Sequence, residues 1–386
     1  MTPPGGFPDT EYRARLDRAQ AMMAQAGLAA LLLTTEADIR YFTGFLTRFW
    51  ESPTRPWFLV VPASGSPVAV IPAIGAALMA QTWVEDIRSW RAPDYDDDGV
   101  SLLAEALTER AGAHGAVGVP MGLESHLRMP LSDWHRLQAR AGGLAFRDDA
   151  GILRRLRAVK SEAEIARIRA ICGIAGRAFA RVPEIAGAGV PLDRVFRRFQ
   201  MLGLEEGADW VPSLAGGAGP GGYADVISPA GPRPLAPGDV LMLDTGMVRD
   251  GSFCDFDRNF SVGPPDAATA AAHDRLIDAV DAAAEIARPG ASAADLFHAM
   301  DQLLTGGQGS AAGRLGHGLG MQLTEGLSLI PADHTRLEPG MVLTLEPGLE
   351  LAPGRIMVHE ENIVIRDTGA EFLSPRAGRG IPVLEG

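Results

Sequence analysis

Apolar and polar positions along this chain follow two different rhythms, and the change comes a little before its middle. Between residues 11 and 150, helix-period patterns alternate with short β-rich runs. The stretch 11-EYRARLDRAQAMMAQAG-27 repeats its apolar positions at helical spacing and ends on Gly27, the residue type that best closes a helix. LAALLLTT (28–35) is a short apolar strand. RPWFLVVPASGSPVAVIP (55–72) is a strand pair folded about a Ser-Gly turn, and VSLLAEALTERAGAHG (100–115) is a second helix. This pattern predicts a small α/β domain. The next stretch, LRRLRAVKSEAEIARIRAICGIAGRAFARV, places Ser161 three residues before Glu164, a capping-box spacing that opens a long amphipathic helix. The domain boundary is expected there, giving 1–154 and 155–386.

From residue 200 onward Gly and Pro are dense and strands dominate. One long Ala-rich helix (266–290) and a shorter one near 292–304 interrupt them. The second domain is therefore expected to be α+β. Within it, 235-LAPGDVLMLDTGM-247 returns as 337-LEPGMVLTLEPGL-349, with an acidic residue, Asp244 and then Glu346, at the same point of an otherwise apolar strand. The repeat suggests two related halves.

Each copy leads into a predicted hairpin. Asp250-Gly251 is a strong two-residue turn signal, and folding there opposes 249 with 252, 246 with 255 and 244 with 257. With side chains alternating, Asp244, Asp255 and Asp257 share one face, and Leu241, Leu243, Cys254, Phe256 and Phe260 take the other. In the second copy, folding about Pro353 sets Glu360 across from Glu346. Solvated outer faces would oppose acid with Lys, Arg or Thr; opposing acid with acid twice asks for a cation between them. His317, in 316-GHGLGMQLTEG-326, has glycines on both sides that allow a close backbone approach, and it is a candidate fifth ligand. His135, His273 and His298 fall in helical patterns, and His359 should face away from Glu360. Four carboxylates and an imidazole suit hard divalent ions, enough for two of them, and a paired site of this kind activates water for hydrolysis.

Composition narrows the remaining classes. Hydrophobic residues make up 46% and charged residues 22%, as in ordinary globular proteins. The net charge is -13 and the basic residues are scattered, so no nucleic-acid partner is expected. No apolar run approaches the roughly 20 residues of a membrane span, and the N-terminus shows no secretory pattern, so the expectation is a cytoplasmic protein without a membrane partner. Two cysteines, Cys172 and Cys254, without paired spacing give no disulfide framework or structural zinc site.

These residues resemble the creatinase, aminopeptidase P and prolidase family over nearly the whole chain. That family's catalytic domain has the pita-bread fold, and its metal signature is an Asp in DxG, an Asp eleven residues on, a His in a GHG-type turn, a Glu in EPG and a final Glu in an E-[DE]-x-V/I strand. Asp244, Asp255, His317, Glu346 and Glu360 match it in order. The resemblance implies a creatinase-like N-terminal α/β domain and a pita-bread domain with pseudo-twofold halves. It also implies two divalent metals (Mn first, with Co, Fe or Zn as alternatives), Glu346 as ligand and proton carrier, and a homodimer.

Two departures bear on the substrate. Proline-specific members usually carry a His seven residues after the metal His, where Thr324 stands here, and another in the loop before the first strand, which here reads GGYADVISPAGPRP. Tyr223, Asp225 and Thr324 are the candidates for lining a differently shaped pocket. Arg48, Trp50, Arg55 and Trp57 lie in a loop of the N-terminal domain, which in relatives can overhang the site of a dimer partner, so Arg48 and Trp50 are further candidates for substrate contact. The first expectation is an Xaa-Pro peptidase-like hydrolase of a small peptide. The alternative is a creatinase-like or ectoine-hydrolase-like C–N hydrolase, or an osmolyte lyase, acting on a small solute. A metal-free binding module ranks last, since nothing would then offset the opposed carboxylates.

Overall fold

The computed structural model describes residues 6–52, 56–310 and 313–385. The chain forms two compact units, Met1–Arg157 and Ala158–Gly386. Arg55 lies outside the described residues.

In the first unit, helices α1 (Asp9–Ala26), α2 (Glu36–Thr43), α3 (Ala76–Met79), α4 (Val100–Ala111) and α5 (Leu131–Arg140) accompany one six-stranded sheet. Its strands are β1 (Ala30–Leu33), β2 (Phe58–Pro62), β3 (Val68–Pro72), β4 (Asp86–Trp90), β5 (Ala116–Val119) and β6 (Ala145–Asp148), in the order β4-β3-β2-β1-β5-β6. α1 stops at Gly27, whose φ of 63° is the left-handed conformation that the residue type supplies. β2 and β3 form the expected antiparallel pair, and β1 to β3 are buried throughout, as strands covered on both faces should be. A short helix, α6 (Ile152–Ala158), carries the chain into the second unit.

The second unit opens with α7 (Glu162–Ala180), held at its start by the Ser161–Glu164 capping box, and α8 (Leu192–Glu205). Then come β7 (Trp210–Pro220), β8 (Asp239–Arg249), β9 (Ser252–Phe253) and β10 (Phe256–Val262). α9 (Ala267–Ile286) and α10 (Ala293–Thr305) follow. The chain closes with β11 (Val342–Leu345), β12 (Gly348–Ala352), β13 (Arg355–Val358), β14 (Glu361–Arg366), β15 (Gly369–Phe372) and β16 (Val383–Leu384). α9 is capped by Asp266, which accepts from the Thr269 amide, and α10 by a Ser292–Asp295 capping box.

Both predicted hairpins form in the predicted register. Arg249 pairs with Ser252 and Asp244 with Asp257. Asp250 and Gly251 both have positive φ, 50° and 73°, as a tight two-residue turn demands. In the second copy Leu345 pairs with Glu361 and Gly348 with Val358, a register that sets Glu346 opposite Glu360 at the junction of two strand pairs. The turn beyond carries a bulge between Glu350 and Ala352.

The expectation of one packed and one charged face needs correction. Leu241, Leu243, Cys254, Phe256 and Phe260 do join a core with residues of α7 and α8. Val240 and Met242, on the Asp244 face, are equally buried, in a second core with α9 and α10. Charge on that face is confined to the Asp244–Asp257 pair, with Asp244 in the middle of β8.

Candidate metal centre

The five candidate ligands come from three segments of the second unit. Asp244 comes from the middle of β8, and Asp255 from the two-residue step between β9 and β10. Glu346 follows the last residue of β11, and Glu360 sits between β13 and β14. His317 comes from an irregular segment bridged to the strands, since Gly318 bridges Leu343 and the Thr344 amide donates to the His317 carbonyl at 2.7 Å.

The glycines beside His317 have steric reasons. A Cβ on Gly318 would lie 2.0 Å from the Glu325 carbonyl oxygen, and one on Gly316, at φ +140°, would lie 2.3 Å from that of Thr344. Backbone therefore packs against backbone on both sides of the histidine. At Gly246, two residues after Asp244, a Cβ would meet the end of the Leu323 side chain at 2.3 Å.

Ligand atoms of Asp255, His317 and Glu360 all lie within 4.8 Å of one another. All three residues are buried. His317 Nε2 is 3.3 Å from Asp255 Oδ2, while its Nδ1 lies 3.0 Å from the Gly318 carbonyl. Donation from Nδ1–H to that carbonyl leaves the Nε2 lone pair directed into the cluster, the tautomer that a metal ligand needs. Asp244 and Glu346 are half-buried and form the accessible side of the group.

Electrostatics agree with a cation site. The carboxyls of Asp244, Asp255 and Glu360 are held well above the usual carboxylate range, first by burial and then by neighbouring acids. The repulsion inferred from opposed acids is thus real but second to desolvation. Glu346 is raised by burial, with His317 and Arg314 pulling the other way. One oxygen each of Asp244 and Glu360 is buried without a hydrogen-bond partner. Buried, unsatisfied carboxylate oxygens beside an oriented imidazole fit a divalent ion, which would supply the missing partner and remove the cost of the charges.

Behind the five lies a polar network that the sequence reading did not anticipate. Asp257 accepts the Glu360 amide at 2.9 Å and lies 3.3 Å from His359 Nδ1. His359 Nε2 is 3.3 Å from Glu361, which also pairs with Arg258 at 3.0 Å. Burial would raise Glu361, yet Arg258, His359 and Ser374 hold it ionised, down to about 2. Asn362 grips the backbone of Asp255.

The remaining candidates are placed as follows. Tyr223 is buried, bridges Ile356, receives the Val358 amide on its hydroxyl at 2.7 Å and reaches Asn259, so its polar end is engaged within the fold. Asp225 is exposed and closes its own loop by accepting from the amides of Ile227 and Ser228. Thr324 is half-buried and accepts a hydrogen bond from Arg314. In the first unit, Trp50 is buried against Phe45 and Trp57 under the Arg128 guanidinium, a packing environment, while Arg48 is exposed.

Residues 166–367 match metallopeptidase family M24, and residues 15–159 match the creatinase/prolidase N-terminal domain. The chain belongs to family M24. It is similar to a probable dipeptidase PepE of Mycobacterium bovis, 33% identical over 92% of each chain. Among solved structures it is similar to dipeptidase PepE from Mycobacterium ulcerans, with 30% identity, a TM-score of 0.84, and coverage of 98% of this chain and 100% of that one. A prolidase from Thermococcus sibiricus shares the fold at 22% identity and a TM-score of 0.84, over 97% and 99% of the two chains. This M24 chain therefore joins a creatinase-type N-terminal domain to a pita-bread domain, and it is a hydrolase. No helix among the described residues is long and apolar enough to cross a membrane.

Proposed function

We propose that this M24 chain is a dinuclear metallopeptidase that hydrolyses the amide bond of a dipeptide, with Xaa-Pro dipeptides the first substrates to try. The observation that carries the reading is the buried cluster of Asp255, His317 and Glu360, with acid registered against acid in both hairpins, which supports Asp244 and Glu346 as its further ligands, and with two carboxylate oxygens left unsatisfied. The names carried by its mycobacterial relatives support the dipeptide. A pair of divalent ions, Mn first, would supply a polarised carbonyl and a water acidic enough to attack at neutral pH.

The protein's own share follows from placement. Asp255, Glu360 and His317 form the buried floor, and Asp244 and Glu346 complete it on the open side. Glu346 is half-buried with its pKa raised, so it can take a proton from the attacking water and pass it to the departing amide nitrogen. Replacement of that acid by Gln keeps the shape and removes the proton carrier.

The test is metal analysis followed by turnover. Protein purified without chelator and supplied with Mn should hold close to two ions per chain, cleave one or more dipeptides, and lose about 100-fold or more in kcat as Glu346→Gln. Asp255→Ala should lose both metal and activity. Full metal content in Asp255→Ala would sink the site, and cleavage of a small cyclic or guanidino solute in place of every dipeptide would move the reading to C–N hydrolysis of solutes, which Thr324 in place of a histidine favours.

A further inference from the structure

The M24 match ends at residue 367, and the stretch 373-LSPRAGRG-380, between β15 and β16, is neither helix nor strand. This tail lies between two helices. A Cβ on Gly176 of α7 would meet the Pro375 ring at 2.5 Å, so the tail packs directly on that helix. On its other side Arg376 pairs with Asp281 of α9 and Arg379 with Asp278, and the Gly380 amide donates to Asp274 at 3.1 Å. Those three acids stand at helical spacing on one face of α9. The two outer ion pairs are part exposed and contribute little, because water screens them and two long side chains must be held still.

The register of the tail is therefore set from its buried side. Ser374 Oγ accepts the Asn362 amide at 3.0 Å and donates to the Glu361 carboxylate, two roles that a hydroxyl can fill at once. The Ala377 amide adds a second bond to Glu361 at 2.8 Å, and Arg258 donates to the Pro375 carbonyl. Glu361 and Asn362 directly follow Glu360. From them two lines of contact lead to candidate ligands. Along the first, Asn362 accepts the Asp255 amide at 3.0 Å. Along the second, Glu361 faces His359 Nε2 at 3.3 Å, His359 Nδ1 faces Asp257 at 3.3 Å, and Asp257 accepts the Glu360 amide at 2.9 Å. One hydroxyl stands at the root of both.

We infer that Ser374 is a positioning residue of the metal centre: its hydroxyl registers the C-terminal tail against Glu361 and Asn362, and through them fixes the backbone of Asp255 and Glu360, candidate ligands from opposite hairpins. The inference rests on the metal reading above and extends the framework of the centre beyond the residues that match M24. Ser374→Ala leaves the Asn362 amide buried without its acceptor and Glu361 with one donor fewer. Neither change touches a ligand side chain, so an effect on metal must travel through backbone placement.

The experiment uses the full chain as wild type, Ser374→Ala, Ser374→Thr and Arg376→Gln. Amide hydrogen exchange is read first on the metal-free protein, and Mn affinity is then measured by competition with a fluorescent chelator. Ser374→Ala should speed exchange at Asp255 and Glu360 while the amides of α8 keep their wild-type rates. It should also weaken Mn binding by ~10- to 100-fold, as the loss of a group that orients a ligand does. Ser374→Thr keeps the hydroxyl and should restore both. Arg376→Gln removes an outer pair only and should match wild type in both. Faster exchange at Asn362 alone, equally faster exchange in α8, no rescue by Thr, or unchanged Mn affinity in Ser374→Ala beside a wild type that binds Mn would each overturn the inference. A wild type that binds no Mn defeats the metal reading, while the exchange comparison still decides whether Ser374 holds the two backbones in place.

Discussion

Asn362 closes a ring with Asp255: its Oδ1 accepts the Asp255 amide at 3.0 Å, and its Nδ2 donates to the Asp255 carbonyl. One buried side chain from the second hairpin thereby fixes the backbone of a candidate ligand in the first. Asn362→Leu, close in size, leaves both backbone groups buried and unpaired, at a cost of about 1–3 kcal/mol each before relaxation. We expect a clear drop in the denaturation midpoint and a weakening of Mn affinity by about 10- to 100-fold, the usual effect of losing a group that orients a ligand. Stability that falls while Mn affinity holds would show that Asp255 keeps its place without Asn362.

The two hairpin registers were legible because each depends on local chemistry. Asp250-Gly251 tolerates positive φ at both positions and so pins Asp244 to Asp257, whereas in the second copy the Pro353-Gly354 turn pairs Ala352 with Arg355 and the bulge between Glu350 and Ala352 completes the register that opposes Glu346 and Glu360. Asn362 was not legible, since its bond to Asp255 spans 107 residues and nothing local marks a side chain that will meet a distant backbone. Trp50 shows the opposite failure. An aromatic beside arginines in a loop reads equally as a binding or a packing residue, and only tertiary contacts distinguish them. The covering of both faces of β8 was hidden because strand alternation tells which side chains share a face, and not what packs on it.

Removing metal should make stability depend on pH in a particular sense. The carboxyls of Asp244, Asp255, Glu346 and Glu360 have folded pKa values above their ordinary ones, so the metal-free protein binds protons on folding. The stabilisation from such groups is full below the ordinary carboxylate range of about 4 and is lost as pH rises through the raised values. Thermal scans in EDTA should therefore give a Tm that falls as pH rises above the ordinary carboxylate range of about 4, relative to the Mn-loaded protein, in which ions replace the protons. Parallel Tm curves with and without Mn would contradict the buried acid cluster.

Steric fixing of His317 predicts a sharp contrast among glycines. In Gly318→Ala the new methyl would sit 2.0 Å from a backbone oxygen, which no rotamer can relieve, whereas at Gly378 nothing lies within 4 Å of a Cβ and φ is ordinary. Gly318→Ala should push the 317–327 segment off the strands and lower bound Mn. Gly378→Ala should be indistinguishable from wild type in both Tm and Mn content. If Gly318→Ala keeps full metal content, the close approach is not what holds the histidine.

Lys160 and Glu325 form an ion pair of 3.0 Å with both side chains almost wholly buried. The pair ties the start of the second unit to the segment that carries His317 and Thr324, and Gly320 leaves room for it: a Cβ there would be 2.1 Å from Glu325 Oε1. Such a pair adds little net stability over an apolar pair of the same size, because desolvation of two charges offsets their attraction, but removing one partner strands the other. Lys160→Met should therefore cost about 3–5 kcal/mol by urea denaturation. The double variant Lys160→Met with Glu325→Leu should recover most of that loss. The two measurements together separate the ion pair from the lysine's other contact: if the double variant is as unstable as the single one, it is the ammonium's hydrogen bond to the Ala158 carbonyl, and not its pairing with Glu325, that holds this segment in place.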